Sequence, residues 1–251
     1  HIGTSSVNGN RSNHTGAFRR GSTLIGDSAN SQGLYSTVIG NSNNLLVNQN
    51  ITATGLLGSQ FVAQGAFSNI LGAYNTVGTR GTSTTDTTTN SKVYSGVAVT
   101  VAGSANNVQD SNGVFVSGYG NTVTNSYDDQ IDVSGIHESL NAGSLASLIR
   151  DNGTKLGQVG VIGAGNTLDN GNNVLLMGMR SKVSDAVMSS VQGFGNEASG
   201  IENTFIAGAS NQVSDAKNAF IAGTGNSVAG VRNVLAIGSE QSLDGASQSV
   251  L

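Results

Sequence analysis

The sequence contains no cysteine, no proline and no tryptophan. Without cysteine, neither a disulfide framework nor a thiolate metal centre can form, and the chain is indifferent to the redox state around it. Aromatic residues make up 5% of the 251 residues and charged residues 10%, so neither a large aromatic core nor a heavily charged surface is available. The net charge of −4 and a lone adjacent basic pair, Arg19 and Arg20, oppose nucleic-acid binding, which needs clustered Lys and Arg to displace phosphate counterions. No apolar run approaches the roughly 18 to 20 residues that span a bilayer, so membrane insertion by this segment is not expected. The start at His1 has no signal-peptide pattern, and the chain reads as a mature or excised fragment.

What fills the gap is Gly, Ser, Thr and Asn, with 36 glycines and 37% hydrophobic residues. Such polarity is compatible with disorder, because the chain buries too little apolar surface to offset its ordering entropy. Disorder, however, predicts no regular spacing of Val, Ile and Leu, and here the spacing is regular. The segments NTFIAGASNQVSDAK, NAFIAGTGNSVAGVR and NVLAIGSEQSLDGAS align on Gly208, Gly223 and Gly238. Read backwards, Gly193, Gly178 and Gly163 extend the series at intervals of fifteen residues.

The template around the anchors is an apolar residue two before the glycine, Asn three after it and Val or Leu five after it, as in Val161, Asn166 and Leu168 around Gly163. Gly103 and Gly118 share the template at the same spacing, while Gly58 with Gly72 and Gly26 with Gly40 fit at fourteen. Gly135 fits less closely through Val133 and Leu140, and Gly9 less again. A unit this short holds neither a helical repeat nor a propeller blade. It holds two strands of about five residues and two tight turns, stacked in parallel and in register at ~4.8 Å.

The expected fold is therefore all-β, a parallel β-roll (solenoid) of 14–15-residue coils. About fifteen such coils would make a rod of roughly 70 Å. Residues 1–251 read as a single unit with inserted loops near 78–93, 124–132 and 141–156.

The strand before each anchor is apolar on both faces, since Val174 and Leu176 alternate with Leu175 and Met177. Parallel strands buried on both sides read this way. The strand after the anchor offers little beyond one Val and reads as solvent-facing. One side of the first strand must then be covered from outside the coil, and the simplest cover is another copy of the chain, arranged about a cyclic axis. The seam would use Phe115, Leu175, Met177, Phe205, Phe220, Leu235 and Ile237. A wider coil that buries both faces alone is the alternative. The recurrent Asn166, Asn196, Asn211 and Asn226 are assigned to structure, tolerating a left-handed turn and forming a ladder between coils.

The runs NVLAIG, NAFIAG, NTFIAG and NNVLLMG, recurring at fourteen or fifteen residues, resemble the coils of the YadA-type head of trimeric autotransporter adhesins. The resemblance covers most of the chain, most closely from Gly157 onward. It implies a left-handed roll, a homotrimer, and attachment to host cells, matrix or other bacteria. It further implies a cell-surface, extracellular location, displayed from the outer membrane by a stalk and anchor outside this segment.

Interruptions of a repeat map to loops and often carry binding. The first contains TSTTDTTTN with Thr84 and Thr85, and the second places Tyr127 beside Asp128 and Asp129. Each is a candidate ligand contact as well as a plain surface loop. The third contains SLASLIR, with spacing suited to a short helix or an irregular coil packed over the roll.

Catalysis finds little support. His1, His14 and His137 have no partner at metal-ligand spacing, no nucleophile-elbow context is present, and no cofactor is expected. The function expected is an adhesin head that meets a protein or glycan receptor on a surface. The alternative is a structural spacer or fibre segment, including a phage-type fibre, with no ligand of its own.

Overall fold

A computed structural model describes residues 23–25, 30–31, 36–41, 44–45, 68–78, 98–126, 157–230, 232–245 and 249–250, with short pieces at 147, 150–151 and 153–155. Each coil contributes a long strand ending at or just past the anchor glycine, such as Asn172–Met179, and a three-residue strand after it, such as Lys182–Ser184. The long strands pair in chain order into one parallel sheet of twelve. The short strands form a parallel sheet of seven and another of three. The fold is thus all-β with sequential parallel pairing, as in a parallel β-roll. Twelve strands at ~4.8 Å give a stack of about 53 Å, shorter than the roughly 70 Å expected.

The coil expected at Gly9 lies outside the described residues, and the pairing accounts for two others. Gly40 pairs directly with Gly72, and Gly118 directly with Gly163. The coils expected at Gly58 and Gly135 therefore have no place between these neighbours. Asn121 and Asn166 bond to each other although 45 residues separate them, and Asn75 and Asn106 do so across 31. Gly40 and Gly72 lie 32 residues apart and Gly118 and Gly163 lie 45 apart, near two and three repeats, which is why spacing alone pointed to a coil within each. The expected loops 124–132 and 141–156 likewise form one departure, since Ser126 and Gly157 sit at the same corner and both bond to Asn112. Within it, Ser147, Arg150 and Asp151 are helical and Gly153–Lys155 is a 3-10 turn, in keeping with a short helix there.

All three departures, at 46–67, 79–97 and 127–156, open between the end of a short strand and the start of the next long one. None separates a long strand from the short strand that follows it. That second corner is built from the anchor glycine and the asparagine three residues on, and its chemistry explains its constancy. The anchors have φ between +118° and +139°, open to glycine and strained for any side chain. A Cβ built on Gly163 would sit inside the carbonyl of Gly178, and the clash repeats up the column.

The asparagines beside them are buried and run as a ladder through the interior. Asn121 Nδ2 donates to Asn106 Oδ1 (2.9 Å) and to the Gly163 carbonyl (2.9 Å). Its Oδ1 in turn accepts from the backbone N–H and the Nδ2 of Asn166, at 3.1 and 3.0 Å. Asn196, Asn211 and Asn226 repeat the pattern. Their structural assignment holds, but by the ladder alone. The left-handed turn falls one residue earlier, at Ala105, Arg180, Ser210 and Glu240. A different set, including Asn170, Asn173, Asn203 and Asn218, uses asparagine's tolerance of positive φ.

Inside the roll, Val161, Leu176, Val191, Ile206 and Ile221 line one wall, and Val123, Leu168 and Val183 face them from the short strands, all essentially without solvent contact. β-branched side chains suit such pleated, in-register columns, and each buried one contributes about 1.5 to 3 kcal/mol. One coil departs from the rule. Ala198 occupies the usual Val position and Ile201 the corner held elsewhere by Ala186 and Ala216. A small-for-large exchange is balanced by a large-for-small one, so the core stays full. The exchange coincides with the break between the two short-strand sheets, where single bridges through Glu197 link Lys182 to Gln212. The exposed pairs Lys182–Glu197 (3.5 Å) and Lys217–Glu202 (2.8 Å) flank it.

Candidate interaction surface

The interior is filled from within, and among the described residues the outward side chains of the long strands are partly or largely exposed. Phe115, Leu175, Met177, Phe220 and Ile237 lie outside the roll with 37–54% of their surface exposed, and Phe205 and Leu235 are half-buried beside them. All seven seam candidates therefore share one face of the twelve-stranded sheet. The register stacks them, Phe205 on Phe220 and Phe220 on Leu235. The rings of Phe205 and Phe220 lie 5.0 Å apart at 17°, an arrangement worth about 0.5 to 1.5 kcal/mol beyond its area.

The face is not flat. Asn173, Met188, Asn203 and Asn218 adopt φ of 48–54°, which bends each long strand near its start and raises a ridge along the stack. Between this ridge and the phenylalanines runs an open groove of about 820 Å³, floored by Leu175, Phe205 and Phe220. Its floor is apolar and its rim carries the amides of Asn173, Asn203 and Asn218.

The short-strand face is its opposite. Lys182, Glu197, Gln212 and Ser227 point outward there around a shallow hollow of about 480 Å³, and its polar side chains are content in water. A third surface runs along the uninterrupted corner, where Tyr74 and Tyr119 are 68% and 65% exposed, followed by Met179 and Phe194. Arg180 lies over the Phe194 ring, 5.9 Å from its centroid. Sequence reading missed these corner aromatics because they sit one or two residues past the anchor, where the template set no requirement.

The loop candidates Thr84, Thr85, Tyr127, Asp128 and Asp129 lie outside the described residues, as does His137. Among the described residues no three His, Asp or Glu side chains approach closely enough to hold a metal ion, and no helix is long and apolar enough to cross a membrane. The sequence matches no protein-family model, and no curated protein matches it either.

Proposed function

We propose that this chain is the head segment of a surface-displayed adhesin, working as a homotrimer of left-handed rolls and attaching its bearer to a host, matrix or bacterial surface through many weak contacts. The observation that carries the reading is the apolar outer face of the long sheet. A roll whose interior is already full has no use for Phe115, Leu175, Phe220 and Ile237 on its outside unless something covers them. A second copy presents the same columns at the same spacing, so every coil meets its equivalent, and cyclic closure leaves no copy with an open face. The trimer number and handedness rest on the resemblance of NVLAIG, NAFIAG and their relatives to the adhesin heads. Three copies multiply weak contacts into avidity. Binding rather than catalysis also agrees with the scatter of the carboxylates along the chain.

Light scattering on the purified chain tests the assembly. The expected result is a stable trimer, and Leu175→Asp with Phe220→Asp is expected to yield a folded monomer, since both side chains lie outside the core. A wild-type monomer would defeat the assembly reading.

Attachment is tested by joining Ser126 directly to Gly157. The join restores the fifteen-residue spacing, so the shortened protein is expected to keep its melting temperature while losing binding to cells or matrix carried by 127–156. Unchanged binding moves attachment to the outer strands. No binding by the intact protein favours the spacer.

A further inference from the structure

Two columns of side chains run in register along the outer face of the long sheet. One lies three residues before each anchor glycine and the other a single residue before it. We propose that Ser190 and Gln192, one from each column of the same coil, fix the register in which two copies of the chain meet through this face, each coil against the same coil of its neighbour. The inference rests on the assembly reading for the existence of the contact, and it adds what aligns the copies.

Side-chain size favours this alignment. Phe115, Phe205 and Phe220 of the first column share their coils with Ser117, Ala207 and Ala222 of the second. Where the first column has Gly160 or Asn69, the second has Ile162 or Leu71. Two coils, with Leu175 beside Met177 and Leu235 beside Ile237, are large in both. When copies are related by an axis along the stack, the edge of the face carrying one column turns toward the neighbour's edge carrying the other. Every phenylalanine then meets Ser or Ala of the same coil, which suits close packing. A copy running the opposite way about the coil of Gly193 sets each column against itself, with Phe205 on Leu175 and Phe115 on Leu235. Large side chains forced against large ones overpack.

Polarity marks one level of the stack. From Gly160 to Ile237 the two columns hold only Gly, Ala, Leu, Ile, Met and Phe, apart from Ser190 and Gln192. Gln192 Nε2 donates to Ser190 Oγ at 3.3 Å within the coil, and in a same-coil contact each finds the same partner in the neighbouring copy. A slip of one coil sets Gln192 against Leu175 or Phe205 instead, burying its amide without a hydrogen bond. A lone polar layer in an apolar seam specifies register in this way, at some expense of stability. Register also decides closure, because a slipped contact repeats as an open filament and an unslipped one closes on itself.

Charge placed in this layer tests the alignment. Gln192 lies outside the core and is half-buried, so Gln192→Glu is expected to leave the chain folded by circular dichroism. In the assembly it brings like carboxylates together at one level. Affinity between copies, measured by analytical ultracentrifugation, is expected to fall at least about tenfold at pH 8 and to recover at pH 4, where the carboxylates are protonated. Adding Ser190→Lys to the same chain is expected to restore assembly at pH 8, since each carboxylate then meets an ammonium of the neighbour.

Spin labels read the direction. With no native cysteine, Ala105→Cys and Glu240→Cys, made separately, each place one label per chain at the same corner position of coils seven steps apart in the sheet, ~34 Å along the stack. The label-to-label distance between copies is expected to be the same at both sites. Unequal distances, a Gln192→Glu variant that assembles at pH 8 as well as wild type, or a double variant that stays apart would each overturn the inference while leaving assembly itself in place. A monomeric wild type removes both.

Discussion

Replacing Gly163 by alanine is expected to break the stack, at a cost above about 4 kcal/mol. Two penalties coincide at this residue. Its φ of +130° lies where an L side chain is strained, and the added methyl would occupy the space of the Gly178 carbonyl. That carbonyl cannot turn aside, because Asn166 Nδ2 donates to it at 2.8 Å. The coils must therefore part, with loss of the sheet bonds between them. Gly165, two residues on, provides the control. It has φ of +62°, and its nearest neighbour to an added Cβ is Arg180 Cγ at 3.9 Å, so Gly165→Ala is expected to cost only about 1 to 2 kcal/mol. Alanine already lives at such an angle in Ala105, at 56°. Urea unfolding of the two variants side by side checks the contrast, and equal losses would refute the account of the anchor column.

Interrupting the asparagine ladder is the second large effect expected. Asn121→Leu removes the acceptor for the backbone N–H and the Nδ2 of Asn166, and the donor to the Gly163 carbonyl. The two bonds to Asn166 are buried and the one to Gly163 is partly so, and an unmet buried polar group costs about 1 to 3 kcal/mol. The loss should therefore total about 4 kcal/mol. Asn121→Ser is expected to lose about half of that, on the order of 2 kcal/mol, and the protein contains the precedent. Ser181 occupies the ladder position of its own coil, where its hydroxyl accepts the Asn196 N–H at 3.2 Å but is too short to span to a glycine carbonyl. Thermal unfolding of both variants measures the step, and a Leu variant as stable as the Ser variant would refute the ladder's contribution.

The anchor columns, the parallel pairing and the outward position of the seven seam residues were legible in the sequence because one physical requirement repeats in every coil. A glycine must pass under a carbonyl, an amide must reach it, and one apolar column must fill the inside. The errors arose where the template was read loosely. Gly58 is followed three residues later by Phe61 and Gly135 by Glu138, neither of which can join an amide ladder. The anchors from Gly72 to Gly238 that do stack carry Asn, Ser or Gln there. Requiring that hydrogen-bonding residue would have excluded both false coils. The corner tyrosines were less legible, since exposure, not residue spacing, singles them out. The loop candidates at 84–85 and 127–129 had no periodic neighbour to fix a position for them.

The two corners of each coil divide labour in a way that bears on how such a surface changes over generations. At one corner the anchor glycine and the residue three on tolerate almost no substitution, because they meet the coil above and the coil below at every step. At the other, the chain departs after Ser126 and resumes at Gly157 with the Asn112 contacts in place. Closing a loop grows costlier only with the logarithm of its length. A long segment can thus be gained, lost or exchanged there with little thermodynamic consequence for the coils on either side. The roll is a ruled page whose lines are fixed and whose margin is free to be rewritten.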